Sequence, residues 1–221
     1  MFRTVLFKIT LSIWFILWAP LLIVALPSRW LSRKFIIWDA FGVLAIARMV
    51  AGIKYKLYNS PYIAGAAAHR HIIASRHQSI LEVAVLTTHV PNAFFIIKRE
   101  LMFIPVYGWA FARMGLQPVD RARGATNMRK LSASVAKKIA NGMNLIIFPE
   151  GTRGTPGQPI KLKRGLLFLA EQLQLPIQPV SVDTGKFWPK RGTMKTGTAD
   201  IRFKEPVPAN ASLDEIADAI G

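Results

Sequence analysis

The chain contains no cysteine. That absence excludes a disulfide scaffold, a thiol nucleophile and any cysteine-ligated zinc or iron–sulfur centre. There is no G-x-S-x-G elbow either, the strand-to-helix turn that exposes a serine nucleophile in α/β hydrolases. Acidic residues are scarce, 12 Asp and Glu against 29 Lys and Arg, which leaves a formal net charge of +17. The 15 glycines and 14 prolines are scattered, so nothing collagen-like or linker-like is present. What the chain has in quantity is apolar side chains, 52% of its 221 residues, enough for one domain core with an appendage. A basic chain that is also apolar suits an anionic membrane surface better than a nucleic acid. No RNP-like motif or paired zinc spacing accompanies the charge, so no nucleic-acid partner is expected.

Charge and apolarity coincide in the N-terminal third. Before Glu82 there are ten basic residues and one acidic residue, Asp39, a net of +9. Ile9 to Leu26 is a run of eighteen uncharged residues, close to the ~20 that a helix needs to cross a hydrocarbon core. Pro20 within it predicts a kink. The run ends in ALPSRW, a poor signal-peptidase site, so an uncleaved membrane segment is expected. A second stretch, Phe35 to Ile53, carries Asp39 and Arg48 and reads as an amphipathic or interfacial helix. Trp14, Trp18, Trp30 and Trp38 fall in this region, where indoles can anchor at headgroup level. Residues 1–53 therefore read as a two-helix membrane hairpin joined by the basic turn PSRWLSRK, the alternative being a pair of core helices in a soluble fold. The predicted division of the chain is a membrane-anchoring motif, 1–56, and an α/β domain, 57–221.

Beyond the hairpin, short apolar runs alternate with helical stretches. Strands are expected at 71–75, 93–97, 116–119, 145–148, 177–182 and 199–203, and helices near 79–88, 100–114, 126–141 and 164–174. The fold class is α/β: a mixed, largely parallel sheet flanked by helices. Ser212 and Glu215 form a capping-box pattern that predicts a terminal helix.

The polar, Gly- and Pro-punctuated segments fall where strands end. HIIAS runs into RHQSILE, AFFII into KREL, LIIF into PEGTR and PVSV into DTGK. Ligands of open α/β sheets gather beyond the carboxyl ends of the strands, so four such ends imply one shared site. In the first, His77 and Glu82 would lie about 140° apart on a continuous helix. If Ser79 caps the helix instead, His77 stays in the turn and can fold back onto Glu82 at the third helical position. Two readings stand open: a histidine–carboxylate general-base dyad, or a capping box between Ser79 and Glu82. Lys98 and the pair Asp120–Arg121 supply charge at neighbouring strand ends. In FPEGTR, Gly151 permits close backbone approach and Arg153 presents a planar fork suited to phosphate. Lys163 is a further candidate on the next helix. One histidine base with several phosphate-competent cations describes an enzyme for a phosphorylated alcohol.

These motifs, in this order, resemble the lysophospholipid acyltransferases of the PlsC type, the 1-acyl-sn-glycerol-3-phosphate acyltransferases. RHQSILE matches the family's H-x4-D block, KRELMFIPVYGW its K-x-E-L-x-x-I-P block, FPEGTR its EGTR block and LPIQPVSV its proline-containing block, over residues 70–205. The resemblance implies transfer of a fatty acyl group from a thioester, acyl-ACP or acyl-CoA, to the sn-2 hydroxyl of lysophosphatidic acid. It implies His77 as general base and Glu82 in place of the family's aspartate. Lys98 and Arg153 match the positions that hold the acceptor phosphate, with Arg121 and Lys163 as neighbours. Glu150, Gly151 and Thr152 belong to the EGTR loop, which Glu150 would order. Neither metal nor other cofactor is implied; partners would be lysophosphatidic acid, an acyl carrier protein or acyl-CoA, and anionic membrane lipids at the cytoplasmic face. The longer Glu82 leaves the acceptor open to another lysolipid, such as a lyso-ornithine lipid. Two remoter readings are a metal-dependent membrane hydrolase built on His69, His71 and His77, and a non-catalytic lipid-binding module.

Overall fold

The computed structural model describes residues 2–59, 63, 70–120 and 125–221, and side chains in the last stretch from residue 128 onward. Among the described residues seven strands form one sheet: β1 Ile53–Tyr58, β2 Ile72–Ser75, β3 Ala93–Lys98, β4 Gln117–Val119, β5 Asn144–Ile147, β6 Ile177–Val182 and β7 Gly197–Phe203. The helices are α1 Phe2–Ala25, α2 Arg29–Val50, α3 Leu81–His89, α4 Tyr107–Met114, α5 Ala125–Ala140, α6 Gly165–Leu173 and α7 Leu213–Ile220, with 3-10 turns at Arg99–Phe103 and Thr184–Lys186. The strand order is β1-β7-β6-β2-β5-β3-β4. All neighbours are parallel except β6 and β7, so the sheet is mixed and largely parallel, as expected. Because β2, β3, β5 and β6 run the same way, their carboxyl ends share one edge.

The central strands are apolar on both faces because helices cover both. Alternation along each strand sends Ile73, Phe95 and Ile146 into one core and Ile72, Phe94 and Leu145 into the other. The first core is closed by α1 to α4, the second by α5, α6 and α7. The α5 residues Leu131, Val135 and Ile139 sit in the second core at the helical spacing read from the sequence, and Ser212 with Glu215 makes the expected capping box on α7.

α1 is one continuous helix with Pro20 inside it. Two local expectations change. The second apolar stretch stops at Val50, and β1 follows it, pairing in parallel with β7; no strand was expected there. A single helix near 100–114 is instead a 3-10 turn followed by α4, because Pro105 interrupts the helical hydrogen bonds.

The hairpin packs on the domain. Phe7, Leu11 and Leu22 of α1 share a core with Ile73 and Ile146 of the sheet. Gly42 makes the α1–α2 contact possible: a Cβ there would lie 1.9 Å from the Trp14 ring. Trp14 Nε1 donates to Asp39 Oδ1 at 2.7 Å and Trp18 Nε1 to the Phe35 carbonyl at 3.2 Å. These two indoles therefore spend their donors inside the hairpin, while Trp30 and Trp38 remain exposed. Arg113 of α4 donates to the carbonyls of Leu26 and Pro27 at 2.5 and 2.7 Å. Arg33 donates to the Met114 carbonyl at 2.9 Å. Among the described residues α1 is the one helix long and apolar enough to cross a membrane, and only 11% of its most apolar stretch is buried.

Candidate active site

β2 ends at Ser75, and the chain turns through Arg76 to Ser79 before α3 begins. The expected Ser79 cap is displaced by one residue: Ile80 occupies the N-cap position and makes no side-chain cap bond. Ser79 Oγ still accepts from Leu81 N at 3.1 Å, and Glu82 reaches back to accept from Ser79 N at 2.7 Å. Half a capping box is thus present, and the same carboxylate makes the dyad. His77 Nδ1 lies 2.8 Å from Glu82 Oε1. Glu82 is fully buried and His77 is one-fifth exposed.

Glu82 also accepts from Gln78 N at 2.8 Å and, through Oε2, from Thr184 Oγ1 at 2.6 Å. All these partners donate, and with Nδ1–H donating as well the imidazole keeps Nε2 as its acceptor. Thr184, in the 3-10 turn beyond β6, is itself fully buried. Gly185 N donates to Gln78 Oε1 at 3.0 Å, so the turn after β6 is tied both to the turn after β2 and to the first turn of α3.

The EGTR loop leaves β5 beside this pair. Phe148 stacks on the His77 ring at 4.3 Å between centroids. Glu150 Oε2 accepts from His77 N at 2.8 Å, its Oε1 stands 3.7 Å from Arg76 Nε, and Gly154 N donates to the His77 carbonyl at 2.7 Å. Burial pushes the Glu150 carboxyl above the usual range, and the His77 amide and Arg76 pull back against that. Glu150 is placed to hold the loop and the His77 backbone together, facing away from the cleft.

His77 opens onto a cleft of about 750 Å³. Lys98, Gly151, Thr152, Arg153 and Lys190 join it there. The rest of the lining is largely apolar and includes Ile36, Val83, Phe111, Met114 and Leu116, between α2, α3 and α4. Of the residues singled out from sequence, His77, Lys98, Gly151, Thr152 and Arg153 meet at this cleft, with Glu82 and Glu150 behind His77. Lys163 lines an adjoining cavity of about 260 Å³ that shares Phe148 and Gly151 with the cleft. Arg121 lies outside the described residues, as does His69. Among the described residues no three His, Asp or Glu side chains cluster as metal ligands.

Two site residues escaped the sequence reading. Thr184 lies in DTGK, whose place at the edge was legible although its hydroxyl had no motif to mark it. Lys190 follows six residues later, beyond a segment fixed by the buried Trp188, whose ring meets Phe7 edge-on at 4.8 Å.

The family model Acyltransferase matches residues 55–183. The chain is 33% identical over 205 residues to the 1-acyl-sn-glycerol-3-phosphate acyltransferase of Pseudomonas aeruginosa, covering 90% of this chain and 78% of that protein. It is 31% identical over 142 residues to the human 1-acyl-sn-glycerol-3-phosphate acyltransferase beta, where it spans 51% of the relative. The crystal structure of the 1-acyl-sn-glycerophosphate (LPA) acyltransferase PlsC from Thermotoga maritima shares the fold, with a TM-score of 0.74 at 22% identity over 99% of this chain and 92% of that one. The matched segment runs from within β1 to the residue after β6 and contains His77, Glu82 and the EGTR loop, and the chain belongs to the acyltransferase family.

Proposed function

We propose that the protein transfers a fatty acyl group from a thioester, acyl-ACP or acyl-CoA, to the sn-2 hydroxyl of lysophosphatidic acid, giving phosphatidic acid. The observation that carries this reading is the His77–Glu82 pair at the wall of a cleft lined by cations, Lys98, Arg153 and Lys190, and by many apolar side chains. Glu82 fixes the imidazole with Nε2 as acceptor. Nε2 takes the proton of the acceptor hydroxyl as its oxygen attacks the thioester carbonyl. The imidazolium is stabilised by Glu82 and by the face of Phe148. When the tetrahedral intermediate collapses, the C–S bond breaks and the imidazolium returns the proton to the leaving thiolate. A thioester is already activated, so no covalent acyl-enzyme is needed.

Lys98 and Arg153 hold the phosphate of the acceptor, with Lys190 beside them and Arg121 and Lys163 as neighbours. The apolar lining between α2, α3 and α4 takes an alkyl chain. The hairpin of α1 and α2 holds the α/β domain, which begins with β1, on the cytoplasmic leaflet, where the lipid acceptor and the soluble donor meet. The basic surface suits an acidic acyl carrier protein as donor.

The test is acyl transfer by purified protein, with both donors, against lysophosphatidic acid and a panel of other lysolipids. Phosphatidic acid should be the preferred product. His77→Ala should lower kcat by about 10² to 10⁴, the usual range for a lost general base, with an unchanged melting temperature. Near-normal turnover by that variant overturns the base assignment.

A further inference from the structure

Exposed large apolar side chains have a sharply limited distribution. Among the described residues they occur on α1, on α2, and in one further place, the stretch that joins β3 to α4 together with the first turn of α4. There Leu101, Phe103, Ile104 and Trp109 are 39%, 69%, 43% and 53% exposed. A cluster of this kind marks an interaction surface.

The stretch is held rigidly in that conformation. Val106 has φ +65°, a costly value for a β-branched residue. Gly108 N donates to the Ile104 carbonyl at 2.7 Å, and a Cβ on Gly108 would lie 2.1 Å from the Met102 carbonyl oxygen. The turn is therefore closed by its own backbone, and its apolar side chains face outward although the chain bends sharply beneath them.

Its position ties it to two other features. Tyr107 meets Phe15 of α1 edge-on at 5.5 Å and its hydroxyl donates to the Phe15 carbonyl at 3.4 Å, so the ridge adjoins the apolar face of α1. On its other side Leu101 and the preceding Lys98 line the cleft. Arg99 lies over the Phe103 ring at 5.9 Å, placing a cation at the root of the ridge.

We propose that residues 101–109 form a second membrane-inserting element, distinct from the hairpin, which seats the mouth of the cleft on an anionic bilayer so that a lipid enters it directly from the leaflet. The occupant is a lipid surface because the ridge adjoins α1, whose apolar side chains are exposed, and because three of the four charges that flank it, Lys98, Arg99 and Arg113 against Glu100, are positive, the pattern of an interfacial anchor. The entry step rests on the acyltransferase reading; the insertion step does not.

The two steps are separable by experiment. The chain has no cysteine, so Phe103→Cys in the full-length protein carries a single environment-sensitive fluorophore. Its emission should shift to the blue on vesicles containing phosphatidylglycerol, and less on neutral phosphatidylcholine. An unchanged spectrum on both overturns insertion, and so does a shift that grows with protein concentration without lipid, which would mean that a second copy covers the ridge. For entry, the double variant Phe103→Ser/Ile104→Ser should lose roughly tenfold in kcat/KM on long-chain lysophosphatidic acid presented in vesicles, while turning over a water-dispersed short-chain lysophosphatidic acid like the parent. Equal losses on both acceptors, or on neither, overturn entry through the ridge. If the parent protein acylates neither acceptor, the acyltransferase reading fails while the fluorophore still decides insertion.

Discussion

Glu82 does two things that the sequence offers as rivals. Its carboxylate gathers the Ser79 and Gln78 amides, which orders the start of α3, and it also takes His77 Nδ1 and the Thr184 hydroxyl. Catalytic and structural losses should therefore appear together in Glu82→Gln. Its amide nitrogen would face donors in a buried pocket, a mismatch worth about 1 to 3 kcal/mol, so both the melting temperature and kcat should fall. Thr184 separates the two effects because its hydroxyl bonds to the carboxylate and not to the amides that open α3. Thr184→Val should lower kcat with little change in KM and alter the pH profile of kcat, and Thr184→Ser should restore both. A purely structural Thr184 would change the melting temperature and leave the pH profile alone. The Glu150 carboxyl offers a pH test. Burial raises its folded value above the unfolded one, so the native state binds more protons there, and stability from this group falls as pH rises from the ordinary carboxylate value through the raised one. Glu150→Gln should flatten that part of the melting-temperature curve, measured from weakly acid to neutral pH.

At the scale of elements, what the residues announce depends on whether their partners are close in the chain. The strand ends are legible because an apolar run stops at a polar, Gly- or Pro-containing turn, as LIIF does at PEGTR. The five-residue span from His77 to Glu82 confines the geometry enough to suggest the dyad. β1 is not legible: IKYKLY follows directly on α2 and owes its strand state to pairing with β7, more than a hundred residues away. Thr184 stands 102 residues from Glu82 for the same reason. The strand order and the reversal at β7 likewise follow from crossovers that no local pattern encodes. The α1–α2 contact gives a direct prediction at this scale. Gly42→Ala sets a methyl carbon into the Trp14 ring, and overpacking of this kind costs about 1 to 3 kcal/mol. A lower thermal midpoint, with the Trp14 emission changed, should be measurable in detergent.

For the whole molecule, the hairpin and the sheet share one core, in which Phe7, Leu22, Ile36 and Val43 pack with Ile73, Phe95 and Ile146. Carbonyls of the hairpin turn and of α4 accept from Arg113 and Arg33, so the two parts are joined by directional bonds as well as by packing. The orientation of the cleft relative to α1 is therefore a property of the fold. Removing residues 1–50 uncovers that core, and the shortened chain should aggregate on expression, as judged by size-exclusion chromatography in detergent. A folded, active truncated protein would contradict the shared core. The same feature dictates how a detergent-free version could be obtained. The route is to repaint the outward stripe of α1, exchanging Ile9, Ile13, Ile16 and Leu17 for polar residues, while Phe7, Leu11 and Leu22 are left untouched to keep the domain closed.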